Sequence, residues 1–301
     1  MRSGFVTVVG RPNVGKSSLV NRMVGTKVSI TSPRPNTTRH RIRGVVHRSD
    51  AQVVLVDTPG LHRPRTALGH RLNETAEGSL ADVDVVVAMV DATAAVGPGD
   101  RIVLQRALRA SGGADDAPTL LVAVNKIDRA VSGQVLERLA TVAAAVDAIA
   151  AEAGDPGPAA GVEYFPVSAR TGRGVDELVS AMVDRLPEGP PYFPEDMVSD
   201  PPEALPVAEL VREQLLRRAR DELPHSIACR VTEWDWPRIR CEILVERDSQ
   251  KPIVIGTGGE VLKAVGTAVR AELEPGAYLE LAVRVEKRWQ QRDDVLDRLG
   301  Y

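Results

Sequence analysis

Gly10-Arg11-Pro12-Asn13-Val14-Gly15-Lys16-Ser17 decides how this chain folds at its N-terminal end. The octet follows a short apolar run, Phe5 to Val9. It precedes Leu19, Val20 and Met23, whose spacing puts them on one helical face. Strand, glycine-rich loop and helix in that order are the context a phosphate-binding loop requires. The main-chain N–H groups of such a loop converge on phosphate oxygens, and the following helix N-terminus adds a favourable dipole. Lys16 then reaches the outer phosphates and the Ser17 hydroxyl ligates Mg²⁺. A chance glycine-rich turn has the same letters, but rarely at the end of a first strand.

With 301 residues the chain is long enough for two domains, each with its own core. It is 43% hydrophobic and 26% charged, ordinary values for a soluble globular protein. A net charge of −3 excludes a strongly basic chain that coats nucleic acid indiscriminately, so any nucleic-acid site has to be local. Cys229 and Cys241 show neither metal spacing nor a disulfide framework, and read as buried, reduced thiols that suit a cytosol. The N-terminus has too short an apolar run for a signal peptide. The longest apolar stretch, around Val85 to Val90, is strand-sized rather than membrane-spanning. The expected localisation is cytoplasmic, with peripheral membrane contact left open.

Residues 4 to about 186 alternate strand-like and helix-like segments, the pattern of a mostly parallel α/β sheet. Expected strands are Phe5–Val9, Ile42–His47, Val53–Asp57, Val85–Asp91, Leu120–Asn125 and Tyr164–Val167, several of them Val/Leu/Ile runs buried on both faces. Expected helices are Gly99–Ala110, Gln134–Ala151 and Val175–Leu186. Seven of the twenty residues from Pro187 to Pro206 are proline, which reads as a semi-rigid linker. The expected division is therefore a nucleotide-binding domain over 1–186, a linker over 187–206 and a second, α+β domain over 207–301. In the last, Val207, Leu210, Val211 and Leu215 share a helical face. Strands over Ser226–Thr232 and Arg240–Glu246, a glycine cluster, a helix, a strand over Tyr278–Val285 and a charged terminal helix follow.

Asp57-Thr58-Pro59-Gly60 closes the third strand, where an aspartate holds a Mg²⁺-bound water and the Gly60 N–H meets the terminal phosphate. Asn125-Lys126-Ile127-Asp128 closes the fifth. A carboxylate at Asp128 accepts from N1–H and the 2-amino group of guanine, an arrangement adenine does not offer. The Asn125 amide reaches N7 and ties its loop to the phosphate loop, and the Lys126 stem covers the base. Ser168-Ala169-Arg170 closes the base pocket after the next strand. In the polar stretch Thr26–Arg41, Thr38 is the threonine expected to complete Mg²⁺ coordination while the γ-phosphate is present. The nucleotide site thus spans Gly10, Arg11, Pro12, Asn13, Val14, Gly15, Lys16, Ser17 and Ser18. To these it adds Asp57 to Gly60, Asn125, Lys126, Asp128 and Ser168 to Arg170. Lys16, Thr38 and Gly60 carry the chemistry, and Ser17, Thr38 and Asp57 hold the metal. Leu61 stands where many GTPases place a water-orienting glutamine, so the intrinsic rate should be slow. Asn13 either helps hold an activating monovalent cation such as K⁺ or shapes the loop.

With these motifs in place, the chain resembles the Era GTPases of the TrmE–Era–EngA–Septin-like group over nearly its full length. The likeness rests on GRPNVGKS, the run Thr37–Arg41, DTPG followed by Leu61, NKID and SAR. It continues through Pro191–Asp200, Leu215–Ser226, the glycine cluster and the ending RDDVLDRLGY. The resemblance implies a P-loop GTPase domain with a six-stranded, mostly parallel sheet, followed by a smaller type II KH domain. It also implies GTP as substrate and GDP as product, Mg²⁺ as cofactor, and the 3′ end of 16S rRNA and the 30S subunit as partners. Neither DNA nor a second copy of the chain is an expected partner.

Ile255-Gly256-Thr257-Gly258-Gly259 looks like the KH-domain GxxG loop, whose glycines let two backbones approach, and Lys263 lies on the helix that follows. Two features temper it. The middle pair, Thr257-Gly258, is uncharged, and residues 206–301 hold 16 Lys/Arg against 17 Asp/Glu. Affinity would then come from a groove with local help from Lys263, Lys251 or Arg270 rather than from bulk charge. Trp234, Trp236 and Trp289 have rings that stack on bases, but core or turn packing is the simpler reading of each, and the tail from Lys287 to Arg298 reads as a solvated helix face. A membrane-associated or signalling GTPase whose KH-like domain binds protein is the alternative. A tRNA-modifying relative is disfavoured because no modifying domain shows.

Overall fold

The parallel Val/Leu/Ile runs bury both faces, and this requires helices above and below a sheet. The computed structural model describes residues 1–112, 117–131, 133–154, 159, 161–200, 204–218 and 226–301. Strands β1 (Arg2–Gly10), β2 (Ile42–His47), β3 (Ala51–Asp57), β4 (Val85–Asp91), β5 (Thr119–Asn125) and β6 (Glu163–Pro166) form one sheet in the order β2-β3-β1-β4-β5-β6. All pairings are parallel except β2 with β3. Helices α1 (Lys16–Val24), α2 (Ala67–Gly78), α3 (Pro98–Ala110), α4 (Gln134–Ala153) and α5 (Val175–Arg185) accompany the strands. Alternate residues of β1 face opposite ways: Val6 and Val8 pack with Leu19, Val20, Leu178 and Met182, while Val9 packs with Val103, Leu104 and Val146. The expected strands and helices are present, with ends shifted by no more than three residues.

The later part of the chain folds as α6 (Ala204–Arg218), β7 (Ala228–Asp235), β8 (Arg238–Val245), α7 (Lys251–Ile255), α8 (Glu260–Arg270), β9 (Tyr278–Val285) and α9 (Asp293–Arg298). Strand β8 is antiparallel to β7 and parallel to β9. Val207, Val211 and Leu215 of α6 and Val265 and Val269 of α8 bury against Cys229, Cys241, Ile243 and Leu279. Both cysteines are buried and free. Part of the Leu215–Ser226 run that carries the resemblance, residues 219–225, lies outside the described residues.

Two expectations change. The proline-rich stretch does not run free over its first two-thirds. The buried Gln52 of β3 accepts from the Tyr192 and Phe193 N–H groups (2.7 and 3.0 Å) and donates to the Phe193 carbonyl (2.8 Å). The Val45 N–H donates to Val198 O at 2.9 Å, and Arg43 pairs with Asp200. Prolines bar a helix but leave carbonyls to accept and an extended chain to lie along strands. Beyond it, α6 begins at Ala204 and takes in Pro206, tolerated in a first turn whose N–H groups have no intrahelical acceptor. Nor is the tail wholly solvated: Trp289 is fully buried, its Nε1 donating to Ser226 O at 2.9 Å, and Val295 and Leu296 are buried with it.

By internal contacts the chain forms two units. The first holds Met1–Ser29, Thr38–Arg63 and Leu72–Asp200; the second takes in Ile30–Thr37 and Pro64–Arg71 together with the described residues after Asp200. No helix among the described residues is long and apolar enough to cross a membrane.

Candidate functional site

In a parallel sheet the loops that leave the carboxyl ends of the strands meet at one edge, and ligands bind there. Gly10, Asp57, Asp91 and Asn125 each end a strand at this edge. The loop from Gly10 to Ser17 turns through left-handed residues at Asn13 (φ 64°) and Gly15 (φ 106°). Asparagine tolerates that conformation, so the residue type of Asn13 suits the turn. Gly15 has no substitute, since a Cβ there would lie 2.4 Å from Asn125 Nδ2. Val14 is the exception within the octet: its side chain is buried in the core, and its carbonyl accepts from Asn125 Nδ2 at 2.8 Å.

The buried Lys16 ammonium donates to the carbonyls of Gly10 (3.2 Å) and Arg11 (3.3 Å). Burial pulls its pKa down to about 8, against the opposing pull of Asp57. Burial likewise raises the Asp57 carboxyl, opposed by Lys16, Ser17, Ser29 and Thr38. The desolvation that disfavours both charges is offset once phosphate oxygens and a divalent cation supply opposite charges.

Ser17 Oγ lies 2.8 Å from Thr38 Oγ1, which donates to Asp57 Oδ2 at 3.3 Å. The other oxygen, Asp57 Oδ1, is buried with no hydrogen-bond partner among the described residues. Two hydroxyls and a half-satisfied carboxylate form an all-oxygen donor set that fits Mg²⁺. Of the threonines in the 26–41 stretch, Thr38 is the one brought to this cluster, and it is buried. Gly60 abuts the phosphate loop: a Cβ there would sit 2.8 Å from Pro12 N, and the next N–H, of Leu61, donates to Gly10 O at 3.3 Å. Thr58 turns the other way, donating its hydroxyl to Val8 O at 2.9 Å inside the core. The Leu61 side chain is buried in the core as well.

The base loops converge on Asn125. Its Oδ1 accepts from Ala169 N–H at 3.0 Å while Nδ2 holds Val14 O, so one side chain ties together three loops. Asp128 accepts from Ser168 Oγ (2.6 Å) and Arg170 Nε (2.8 Å). The Ser168 hydrogen bond foremost, with Arg170 behind it, holds the Asp128 carboxyl below the usual range, so it is ionised at neutral pH. Lys126 crosses to the phosphate loop, donating to Asn13 O (2.9 Å) and pairing with Asp91 Oδ2 (2.6 Å).

Asp91 and Arg22 join the site without having been expected. Burial raises the Asp91 pKa, but hydrogen bonds from Lys126 and Thr93 outweigh it and leave the carboxyl lowered. Arg22 Nε donates to Ala169 O at 3.1 Å and its Nη2 to Arg170 O, supporting the last loop from α1. A signal existed for Asp91: it is a carboxylate ending an apolar parallel strand, in register with Asn125.

In the second unit Ile255 ends α7, and Gly256, Thr257, Gly258 and Gly259 form the turn between α7 and α8, with Thr257 and Gly258 exposed. Gly256 has φ 77°, and a Cβ would meet Val261 N at 2.7 Å. Lys263 is exposed one turn into α8. Trp234 and Trp236 stand exposed at the β7–β8 hairpin.

Residues 5–126 match the model of a family described as 50S ribosome-binding GTPase, and residues 222–290 match that of the KH domain. The GTPase Era of Mycobacterium avium is 47% identical over 312 residues, covering 100% of this chain and 99% of the relative. That of Mycobacterium tuberculosis strain H37Rv is 47% identical over 311 residues, covering 99% and 98%. A solved structure of Era with MgGDPNP and nucleotides 1506–1542 of 16S ribosomal RNA superposes with TM-score 0.87 at 39% identity, covering 100% of this chain and 99% of that one. An Aquifex aeolicus Era variant bound to GDP·AlF4⁻ gives 0.85 at 38%, with the same coverage. The chain belongs to the Era family of GTPases, with an N-terminal GTPase domain and a C-terminal KH domain.

Proposed function

We propose that this GTPase is a Mg²⁺-dependent switch that binds the 3′ end of 16S ribosomal RNA and acts in assembly of the 30S subunit. The observation that carries the reading is the full-length likeness to an Era structure that holds both MgGDPNP and 16S nucleotides 1506–1542. In this reading Asp128 selects guanine through N1–H and the 2-amino group, and the second amide hydrogen of Asn125 serves N7. Lys16 stabilises charge on the outer phosphates, and the Gly60 N–H meets the γ-phosphate. Ser17 and Thr38 would hold Mg²⁺ directly and Asp57 through water. Once bound, the ion neutralises charge on the β- and γ-oxygens.

Water adds to the γ-phosphorus as the bond to the β–γ bridging oxygen breaks, giving GDP and phosphate. A buried Leu61 orients no water, so the intrinsic rate is slow, and K⁺ is carried in this reading as an activator. Loss of the γ-phosphate releases Thr38. Gly256 to Gly259 and Lys263 would clamp the RNA backbone.

Filter binding of a 16S 3′-terminal RNA segment, with GDPNP and with GDP, tests the proposal. At least about tenfold tighter binding with GDPNP is expected. The near balance of 16 basic and 17 acidic residues over 206–301 favours a second reading, a signalling or membrane-associated GTPase whose KH domain binds protein. RNA binding that is absent or blind to the nucleotide would overturn the first reading and leave the second.

A further inference from the structure

Helix α6 buries charge on the side away from Val207, Val211 and Leu215. Glu209, Arg212 and Glu213 are 4%, 0% and 0% exposed. Charges leave water at such a cost that each needs a partner. Arg212 pairs with Glu209 through two bonds, Nε to Oε1 at 2.9 Å and Nη2 to Oε2 at 2.6 Å, and its Nη2 also donates to the main-chain carbonyl of Thr37. The next residue, Glu213, accepts the main-chain N–H of Thr31 at 2.8 Å. All of these residues lie in the second unit. Consecutive side chains of one helix therefore grip the 30–37 stretch near both its ends, and do so through main-chain atoms. The grip sets the path of the loop whatever side chains the loop carries.

The residue that leaves the second grip is Thr38. The Thr37 carbonyl and the Thr38 nitrogen share one planar peptide unit, so holding that oxygen fixes the plane from which Thr38 departs. What remains free is the φ of Thr38 and a χ1 that β-branching restricts. Its hydroxyl sits 2.8 Å from Ser17 Oγ. We propose that Arg212, aligned by Glu209 and assisted by Glu213, is a positioning residue for Thr38. It touches neither nucleotide nor metal, and sets the reach of the threonine that does. A planar guanidinium suits the task because one fork serves both the carboxylate and the carbonyl, which a lysine ammonium does not do at once.

The proposal rests on the assignment of Thr38 to the metal made above, and its test separates the two. Affinities for GDPNP in Mg²⁺ and for GDP in EDTA are measured for wild type, Thr38→Ala, Arg212→Lys, and the combination of Thr38→Ala with Arg212→Lys. The pair Glu209→Leu with Arg212→Met is added because it removes the buried ion pair without stranding a charge. Arg212→Lys and the apolar pair are expected to lose about tenfold in preference for GDPNP over GDP. They should also need more Mg²⁺ for half-maximal GDPNP binding and keep wild-type GDP affinity, the sign of an intact fold. Combined with Thr38→Ala, Arg212→Lys should cost nothing further. Additive losses would overturn the proposal. So would an unchanged GDPNP preference in both Arg212 variants while Thr38→Ala loses it. If Thr38→Ala itself keeps the preference, the metal assignment fails first, and the proposal with it.

Discussion

At the scale of single residues, the proposed guanine specificity turns on Asp128. Its carboxylate is ionised, held by the Ser168 hydroxyl and the Arg170 guanidinium, and it stands on a loop that Asn125 links to the phosphate loop. Replacing it by asparagine keeps the shape and one acceptor but substitutes an N–H donor where guanine presents its 2-amino donor. Asp128→Asn is expected to weaken GTP binding by about 3 kcal/mol, roughly a hundredfold, the worth of hydrogen bonds to a charged group. Binding should shift toward xanthosine triphosphate, which carries an oxygen at that position. Competition between the two nucleotides reads this directly, and an unchanged preference for GTP rules out the assignment. Asp128, Asn125, Lys16 and Ser17 were legible because each sits inside a contiguous motif at a strand end. Thr58 was not, although it lies inside one, because only the packed core shows its hydroxyl turned to Val8. Asp91 and Arg22 stand outside any motif, and they enter the site through partners 35 and 147 residues away.

Among the elements, the proline-rich stretch after α5 differs most from its expected form. Composition marks it as a linker, yet its amides and carbonyls are claimed by β1, β2 and β3, with Gln52 as the chief tie. Gln52→Leu keeps roughly the volume and strands two N–H groups and one carbonyl. A loss of about 3 kcal/mol in chemical denaturation is expected, since each unsatisfied buried group costs about 1–3 kcal/mol. Proteolysis within 187–200 should also quicken. A loss below about 1 kcal/mol with unchanged proteolysis would show that the strap is held by its other bonds. Helix α6 gives the complementary case. Its apolar face follows from spacing, and Val207, Val211 and Leu215 are buried as that spacing requires. Charged residues on the other face of a helix ordinarily meet water. Here Glu209, Arg212 and Glu213 are buried, and the 30–37 loop supplies partners for Arg212 and Glu213 that no spacing within the helix shows.

For the molecule as a whole, charge bears on the proposed RNA binding. The net charge is −3, and the second unit's arginines are largely committed to carboxylates: Arg230 and Arg284 to Glu242, Arg238 to Glu280, Arg292 and Arg298 to Asp294. Among the described residues, such pairs hold much of the unit's positive charge next to carboxylates and leave less of it to displace counterions. The logarithm of RNA affinity should therefore fall against the logarithm of KCl concentration with a slope of about −2 or shallower, equivalent to about three phosphates on a single strand. Filter binding across a KCl series measures it; a slope steeper than about −4 would mean that a basic face drives binding.

The amino-acid order by itself determined the sheet of the GTPase domain, where the loops proposed to hold phosphate, metal and guanine leave its strands, and the sequence of helices, strands and glycine turn in the KH domain. These features are local, written in apolar periodicity and in motifs a few residues long. Only the tertiary structure decided that Gln52 holds Tyr192 and Phe193, that Trp289 closes on Ser226, and that Arg212 grips Thr37. Each of these joins polar groups 63 to 175 residues apart. A buried donor needs an acceptor, but its spacing along the chain does not say which one; the packing of the apolar faces brings the two together.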